Sequence, residues 1–346
     1  MKIEKPFSVR TIPTPETLKL LESVTLGSNG ARYRHLDTRE RITQLYKPVF
    51  LNLDRNNKTL ANITLCRREV GWYLRYFAFD TSLQTGTKNQ GTTKSGFLKN
   101  QINSFFNEVL NGDHDNTTNL LYAYIDPKNT RSLIMSENFG FTTKAKIATQ
   151  TFSRVKPKKQ DNVRQIPSEQ LGEVYAKVSE YYGKHQLYFT EHTFNKEPFY
   201  GYYSKDGSLL AFVKVHKAKW SIERLPGRSG KLLTNIIPFI PRLRSIIKPK
   251  RHIFSAVEAL WVSKEYNQAE ITEALFEGVL HKEQTNSLIW WVDSKSMNYL
   301  TLSETVNWGL MHKLNGVSMV DLVVRERKDS NLAITSPFYV TAFDFI

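Results

Sequence analysis

Two carboxylates stand where apolar strands end, and these side chains are well placed to move a proton. Asp80 closes the run RYFAFD, and Asp126 closes the run LLYAYID. A carboxylate at a strand end can accept a proton from a bound substrate. It can equally start a turn, because Asp side chains accept hydrogen bonds from nearby backbone amides. We expect the turn-starting role for Asp126, which Pro127 follows.

The stretch 119–141 predicts the elements that position these groups. Residues 120–125 form a short apolar run, typical of a strand buried on both faces. After Asn129 the apolar residues recur at helical spacing, and Gly140 can end that helix in the left-handed conformation that glycine adopts easily. Phe141 then starts a new strand. The pattern therefore predicts a strand, a turn, a helix, a glycine stop and a second strand.

The spacing from Asn129 to Gly140-Phe141, after a strand that ends in Asp126, resembles the last core motif of the GNAT-type N-acetyltransferases. In that family the strand before the helix is splayed from its parallel neighbour, and the pantetheine arm of acetyl-CoA lies in the gap. The family carries a small residue three positions after the Asn and often a Tyr seven positions after it, which can protonate the leaving thiolate. Ser132 and Ser136 occupy these positions here.

The resemblance implies acyl transfer from acetyl-CoA, or another acyl-CoA, to an amine without a metal. A base or a water chain makes the amine neutral, a strand backbone polarises the thioester carbonyl, and a proton source neutralises the thiolate. Asp80 is our candidate base, with Asp126 behind it, and Ser136 is a catalytic candidate by position. Tyr124, like Tyr122, can replace the absent family Tyr, although alternating aromatic residues on a buried strand also suit a core.

The connection between the central strand and the next helix, residues 82–96, corresponds to the loop that holds the coenzyme pyrophosphate in the family. It is longer than the family's loop and does not match its glycine spacing. Its end still offers backbone N–H donors and a cation at the start of an amphipathic helix. The alternative is a polar loop capped by Ser95. The predicted cofactor-binding residues are Phe79, Thr81, Ser82, Lys94, Ser95, Gly96, Asn129 and Ser132.

Several patterns occur twice in the same order, which predicts a tandem duplication. The passage VRTIP at 9–13 recurs as VRQIP at 163–167, and a strand ending in Asp recurs as SLIWWVD. We therefore predict an α/β (α+β) protein with two GNAT-like domains, 1–156 and 157–346. Each domain should have a mixed, mostly antiparallel sheet, with a splayed parallel central strand pair flanked by helices. Glu270 and Thr272 fall near the glycine positions of the second copy, so we expect the acyl-CoA site in the first domain and a degenerate second one.

The charge of the chain predicts an anionic partner. The net charge is +15 and the pI is about 9.6. An insertion at 221–252 concentrates this charge, since residues 224–251 hold eight Lys or Arg and no acid, interleaved with apolar residues. Such a stretch can lie on an anionic membrane or an acidic partner. The alternative is that its apolar side packs on its own domain and its charges face water.

Composition also excludes several classes of protein. The sequence contains no apolar run near the ~18 residues needed to cross a bilayer, and its first residues lack a signal peptide's apolar core, so we expect a cytoplasmic protein. The single Cys66 excludes an internal disulfide and suits a packed thiol. The eight His show no ligand spacing, and we expect no metal.

Three functional hypotheses remain open from the sequence. The first is an acyl-CoA-dependent N-acyltransferase, an N-acetyltransferase by resemblance, acting on a small-molecule or peptide amine. The second is an aminoacyl-tRNA-dependent transferase, because duplicated GNAT folds also occur in the peptidoglycan-bridge enzymes and the positive charge would suit tRNA. Against it, the chain shows no strong nucleic-acid motif and no long helical arm. The third is a catalytically inactive acyl-CoA-binding or regulatory module, suggested by Ser136 and the irregular phosphate loop.

Overall fold

The structure is a computed structural model that describes residues 5–27, 31–69, 71–80, 92–111, 120–190, 198–225, 230–327 and 334–346, with side chains from 96 onward in the helix that begins at Thr92. The strands are Phe7–Arg10 (β1), Arg32–His35 (β2), Val49–Arg55 (β3), Lys58–Arg67 (β4), Trp72–Phe79 (β5), Leu120–Ile125 (β6), Thr142–Ser153 (β7), Val163–Gln165 (β8), Phe199–Tyr203 (β9), Leu209–Arg224 (β10), His252–Val262 (β11), Ser287–Asp293 (β12) and Ser318–Glu326 (β13). The α-helices are Pro15–Ser23 (α1), Thr38–Thr43 (α2), Thr92–Asn111 (α3), Thr130–Asn138 (α4), Leu171–Tyr182 (α5), Gly230–Ile236 (α6), Pro241–Ile246 (α7), Gln268–Glu283 (α8), Met297–Leu302 (α9) and Leu310–Asn315 (α10). Short 3-10 helices cover Ser168–Gln170, Ile237–Phe239 and Ala342–Asp344.

Turn and cap residues set the ends of these elements. Asn56 and Asn57 both have positive φ, 49° and 56°, and form the two-residue turn between β3 and β4. The side chain of Asn129 caps α4 by accepting a hydrogen bond from the backbone N–H of Ser132. Gly140 has a φ of 78°, so the chain leaves α4 in the left-handed conformation. The predicted strand, turn, helix and glycine stop of 119–141 are thus confirmed over the described residues.

The thirteen strands form one continuous sheet. Its order is β1-β3-β4-β5-β6-β13-β7-β12-β11-β10-β9-β8, and β2 pairs with the long strand β10. Two neighbouring pairs, β5 with β6 and β11 with β12, are parallel, and the other pairs are antiparallel. The expected mixed sheets of the two copies are therefore joined edge to edge into one sheet.

The last strand of each copy lies among strands of the other copy. β13 pairs with β6 on one side and with β7 on the other, while β7 also pairs with β12. The prediction of a separate sheet in each domain is wrong at this point, because both partners of β7 come from the second half of the sequence. The two copies are interlocked by this exchange, and the boundary at residue 156 stays a prediction from the sequence repeat.

Both parallel pairs separate after a short paired stretch. β5 and β6 are in register only at Trp72–Leu121 and Tyr73–Tyr122. A bulge follows in β5, where Arg75 has no opposite residue in β4. In the second copy the pairing of β11 with β12 stops at Val257, and a bulge follows at Ala259, whose φ is 51°. The bulge therefore lies two residues beyond the last paired residue in each copy, a correspondence that agrees with a duplication.

Candidate functional site

A cavity of about 680 Å³ opens where β5 and β6 separate. We call the gap between β5 beyond Tyr73 and β6 beyond Tyr122 the first wedge. Both strands line the cavity, as do α4, β2 and the start of β13. Cavities of this size accommodate a small-molecule ligand or cofactor. The splayed strand pair that the sequence predicted is therefore present, and it encloses a cavity.

Several predicted residues meet on one side of this cavity. Asn129, Ser132, Ser136 and Tyr124 all line it. The Asn129 side chain accepts the Ser132 N–H at 3.2 Å, and the Ser136 hydroxyl donates to the Leu133 carbonyl at 2.8 Å. The helix end thus places small polar groups along the wall, and these residues remain candidates for contacts with a bound arm.

Tyr124 lies on β6 at the opening of the first wedge. Its ring contacts Trp291 at 5.3 Å and Tyr73 at 5.9 Å between centroids. Burial, with the nearby Asp344 carboxylate, raises the pKa of Tyr124 well above its usual value. The phenol therefore stays protonated at neutral pH, and its hydroxyl remains a hydrogen-bond donor.

Asp80 and Phe79 do not line the described cavity wall. Asp80 forms an ion pair with Lys58 at 2.8 Å, and Phe79 packs against Phe77, with 5.0 Å between ring centroids. The carboxylate of Asp126 accepts the Lys128 N–H at 2.9 Å, so it starts the turn as expected, although it also lines the cavity. The catalytic role of Asp80 stays a prediction.

The predicted phosphate loop is only partly described. Thr81 and Ser82 lie outside the described residues, as do the side chains of Lys94 and Ser95. The helix α3 begins at Thr92, earlier than the expected start near Ser95, so Gly96 lies one turn inside the helix. A Cβ added at Gly96 would meet no described atom within 4 Å, so a side chain can be accommodated there. The binding roles of these residues stay predictions.

A buried network beneath the first wedge was missed by the sequence analysis. Asp344, with its side chain 1% exposed, accepts a hydrogen bond from Arg68 at 2.6 Å and from the Tyr122 hydroxyl at 3.0 Å. Tyr73 donates to the Asp344 carbonyl oxygen at 2.6 Å, and Arg75 donates to the Phe343 carbonyl at 2.6 Å. These contacts fix the segment 343–346 across the root of the wedge. The sequence gives no periodic signal for such long-range pairing.

Asp344 also lines the cavity, so it is a candidate for proton transfer. Burial raises the pKa of its carboxyl group, and Arg68 only partly opposes this effect. A carboxylate with a raised pKa is a stronger base than an exposed one. Asp344 therefore lines the cavity and is a stronger base than an exposed aspartate.

The part of the cavity wall formed by β2 and β5 carries polar atoms that have no protein partner among the described residues. His35 is 8% exposed and Tyr76 is 3% exposed, and both line the cavity. Neither ring nitrogen of His35 nor the hydroxyl of Tyr76 has a hydrogen-bond partner within the described structure. Burial, with Arg75 and Arg41, lowers the pKa of His35 to about 3, so its ring is neutral. These atoms can hydrogen-bond to a molecule in the cavity.

The equivalent gap in the second copy is filled by the protein itself. We call the space between β11 beyond Val257 and β12 beyond Trp290 the second wedge. Tyr182 and Asn298 donate to the carbonyl of Leu260 at 2.6 Å and 2.8 Å, replacing a strand neighbour. The void that remains is about 20 Å³, room for about one water.

Glu258 holds side chains at the second wedge through several buried hydrogen bonds. Its carboxylate accepts hydrogen bonds from the hydroxyls of Tyr339 at 2.7 Å and Thr341 at 3.0 Å, and it pairs with His216 at 2.8 Å. Burial alone would raise the pKa of Glu258, but Lys214, His216 and Tyr339 outweigh it and lower the pKa. These contacts give Glu258 a structural role in the second wedge.

The described residues contain neither a candidate metal centre nor a candidate membrane-spanning helix. No group of three or more His, Cys, Asp or Glu side chains converges there as metal ligands. Within the same residues, every helix is too short or too polar to span a lipid bilayer. A cytoplasmic location stays a prediction.

The chain is similar to known proteins in its structure but not in its sequence. No protein-family model matches the chain, and no curated protein matches its sequence. Among solved structures, a GCN5-related N-acetyltransferase from Sphaerobacter thermophilus is similar, with a TM-score of 0.54, 12% identity and coverage of 97% of this chain and 100% of that one. An N-myristoyltransferase from Saccharomyces cerevisiae with bound myristoyl-CoA has a TM-score of 0.54, 9% identity and coverage of 97% and 88%. A second structure of that yeast enzyme with myristoyl-CoA has a TM-score of 0.55, 10% identity and coverage of 97% and 84%.

At these sequence identities the similarity concerns the fold alone, and it extends over nearly the whole chain. A tandem duplication is compatible with a similarity of this extent. The chain therefore has a GNAT-type fold, as its sequence predicted.

Proposed function

We propose that the protein is an acyl-CoA-dependent N-acyltransferase whose chemistry takes place in the first wedge. The observation that carries this proposal is the contrast between the two wedges. The first opens into a cavity of about 680 Å³, whereas the second retains about 20 Å³. A duplicated scaffold without a ligand would have no need to leave one of its two gaps open. The solved structures that share the fold include enzymes described as an N-acetyltransferase and an N-myristoyltransferase.

The residues of the wall suit the transfer of an acyl group from a thioester to an amine. The amine nitrogen bonds to the carbonyl carbon, and the carbon–sulfur bond breaks. Asp344 accepts the proton that the amine loses, and Tyr124 supplies a proton to the leaving thiolate. The bulge at Arg75 turns backbone N–H groups of β5 out of the sheet ladder, where they can polarise the thioester carbonyl.

The size of the cavity bears on the acyl group. The resemblance in the sequence predicts acetyl-CoA, and an acetyl group fills only a small part of about 680 Å³. Phe106, Met135 and Phe139 add apolar wall that an acetyl group does not need. We therefore propose that acyl groups longer than acetyl are accepted, with an amine on a small molecule or a peptide as acceptor.

Binding and turnover together test the proposal. Calorimetry with coenzyme A, acetyl-CoA and a long-chain acyl-CoA should give saturable binding, with tighter binding of the long-chain thioester. A thiol-release assay with a panel of amines should then detect turnover. Asp344→Asn, assayed well below its lowered Tm so that it is folded, should reduce kcat while leaving acyl-CoA affinity within about threefold, a difference of roughly 0.65 kcal/mol. Asp80→Asn distinguishes the sequence-based candidate, because a comparable loss of kcat there would assign the base to Asp80 instead.

Two results would remove the enzymatic proposal. Saturable acyl-CoA binding without thiol release for any amine would leave an inactive binding module. Retention of tRNA at moderate salt, with no binding of any acyl-CoA, would favour the aminoacyl-tRNA hypothesis.

A further inference from the structure

The insertion carries exposed apolar residues that the fold leaves uncovered. Five large apolar side chains within nine residues of α6 and the turn after it are exposed, and Phe239 is 84% exposed. They are Leu232, Leu233, Ile236, Phe239 and Ile240. Fifteen large hydrophobic side chains are exposed in the described residues, so a third of them lie here. A concentration of this kind marks an interaction site rather than ordinary surface variation.

The same segment keeps a separate apolar side for its own domain. Ile237, Ile246 and Ile247 are buried and pack with Leu225 and Met311. These inner residues therefore pack on their own domain, as the alternative stated in the sequence analysis expects for the apolar side of the segment. That alternative does not account for the five outer ones. The segment is fixed by its inner side while its outer side faces solvent.

Positive charge surrounds the exposed apolar residues. All six described cations of residues 230–251 are exposed, and none forms an ion pair within the described structure. They are Lys231, Arg242, Arg244, Lys248, Lys250 and Arg251. No acidic residue occurs in this range to neutralise them. Apolar residues flanked by unneutralised cations match a bilayer interface, where acyl chains lie beneath anionic headgroups.

Charge complementarity separates this partner from two others. A second copy of the chain docking through the same face would bring two cationic patches together, which opposes association. A nucleic acid would use the cations but would not require aliphatic side chains such as Leu232 and Ile236 to stay exposed. An anionic bilayer uses both features at once.

We propose that residues 230–251 dock the protein on the surface of an anionic lipid bilayer. This segment also contributes to the wall of the cavity, because Ile247 lines it together with Leu225 and Met311. Docking therefore brings the cavity close to the lipid surface. The proposal does not depend on acyl transfer, since the exposed apolar and cationic residues of the segment are not among those that line the cavity.

Vesicle co-sedimentation of the full chain tests this proposal. We expect binding to phosphatidylcholine vesicles that contain phosphatidylglycerol, and at least tenfold weaker binding to phosphatidylcholine alone. Leu232→Ser/Phe239→Ser and, separately, Arg242→Glu/Arg244→Glu should each weaken binding to the anionic vesicles at least tenfold. Matched controls at exposed sites outside the segment, Met297→Ser/Leu300→Ser and Lys205→Glu/Lys264→Glu, should bind like the unmodified chain.

Thermal melts in the absence of lipid confirm that each variant is folded. Equal binding to both vesicle types, or anionic-vesicle binding by both test pairs at the level of the controls, would overturn the proposal. It would also be overturned if Arg242→Glu/Arg244→Glu abolished tRNA binding while Leu232→Ser/Phe239→Ser left vesicle binding unchanged. Self-association of the free protein that Leu232→Ser/Phe239→Ser abolishes would assign the face to a second copy instead.

Discussion

Replacing Asp344 by Asn tests the buried network that holds the end of the chain against the first wedge. The substitution keeps the volume of the side chain and removes its charge. Arg68, with its side chain fully buried, then loses the carboxylate that it contacts at 2.6 Å. Removing one partner of a buried pair costs about 3–5 kcal/mol, because the remaining charge stays out of water without compensation. The raised pKa of Asp344 reflects the burial of the carboxylate itself, whereas Asp344 raises the pKa of Arg68, so the cost of the substitution falls on the Arg68 charge that is left unpaired. For a chain of this length, that loss corresponds to a fall of about 4–7 °C in Tm.

Urea denaturation followed by fluorescence provides the free energy of unfolding, and differential scanning calorimetry provides Tm. Arg68→Met/Asp344→Asn should recover part of the loss, because an apolar side chain of similar length removes the stranded charge. Asp161→Asn is the matched control, since Asp161 pairs with Lys159 in solvent and should leave unfolding unchanged. A loss below about 1 kcal/mol for Asp344→Asn, the range typical of solvent-exposed pairs, would refute the reasoning.

Three further predictions concern acid stability and glycine positions. The pKa of His35 falls from 6.5 to about 3 on folding, so only the unfolded chain gains this proton as the pH drops through that range, and the folded state loses up to about 1.4 kcal/mol of stability per pH unit. His35→Phe should flatten this part of the pH dependence of the urea midpoint, and an unchanged slope would count against the effect. Gly140→Ala should destabilise the folded protein by about 1–2 kcal/mol, because a φ of 78° strains any L side chain, whereas Gly172→Ala inside α5 should stabilise it. Equal changes in the free energy of unfolding, measured by chemical denaturation, would contradict the account. Gly96→Glu should leave the melting curve intact and weaken acyl-CoA binding in calorimetry, and unchanged affinity would place the coenzyme phosphates elsewhere.

Local sequence patterns were enough to predict the helix end and the strands around the 119–141 motif. Asn129 and Gly140 act through backbone conformations that depend on few neighbours, so the chemistry of helix ends located them in the sequence. The repeat of strand patterns likewise indicated the duplicated plan. The exchange of β7 and β13 between the copies left no trace in the pattern, because a strand with two buried faces reads the same beside any neighbour.

The candidate site was predicted on one wall and missed on the other. Asn129, Ser132 and Tyr124 lie close together along the chain, so one motif was enough to group them. His35 and Asp344 reach the same cavity from distant parts of the sequence, and long-range packing alone brings them there. Their chemical character also arises from burial, which changes the pKa of each group and which no local pattern encodes.

Filling the first wedge by mutation tests the central claim most directly. Ala123 lines the cavity and is 7% exposed, while Ala145 has the same exposure on β7 and lies outside the described lining. Calorimetry with a long-chain acyl-CoA should show at least tenfold weaker binding to Ala123→Leu, a loss of about 1.4 kcal/mol, and near-normal binding to Ala145→Leu when both variants are folded. Unchanged affinity of Ala123→Leu, or an equal loss in both variants, would contradict a binding site between the separated ends of β5 and β6.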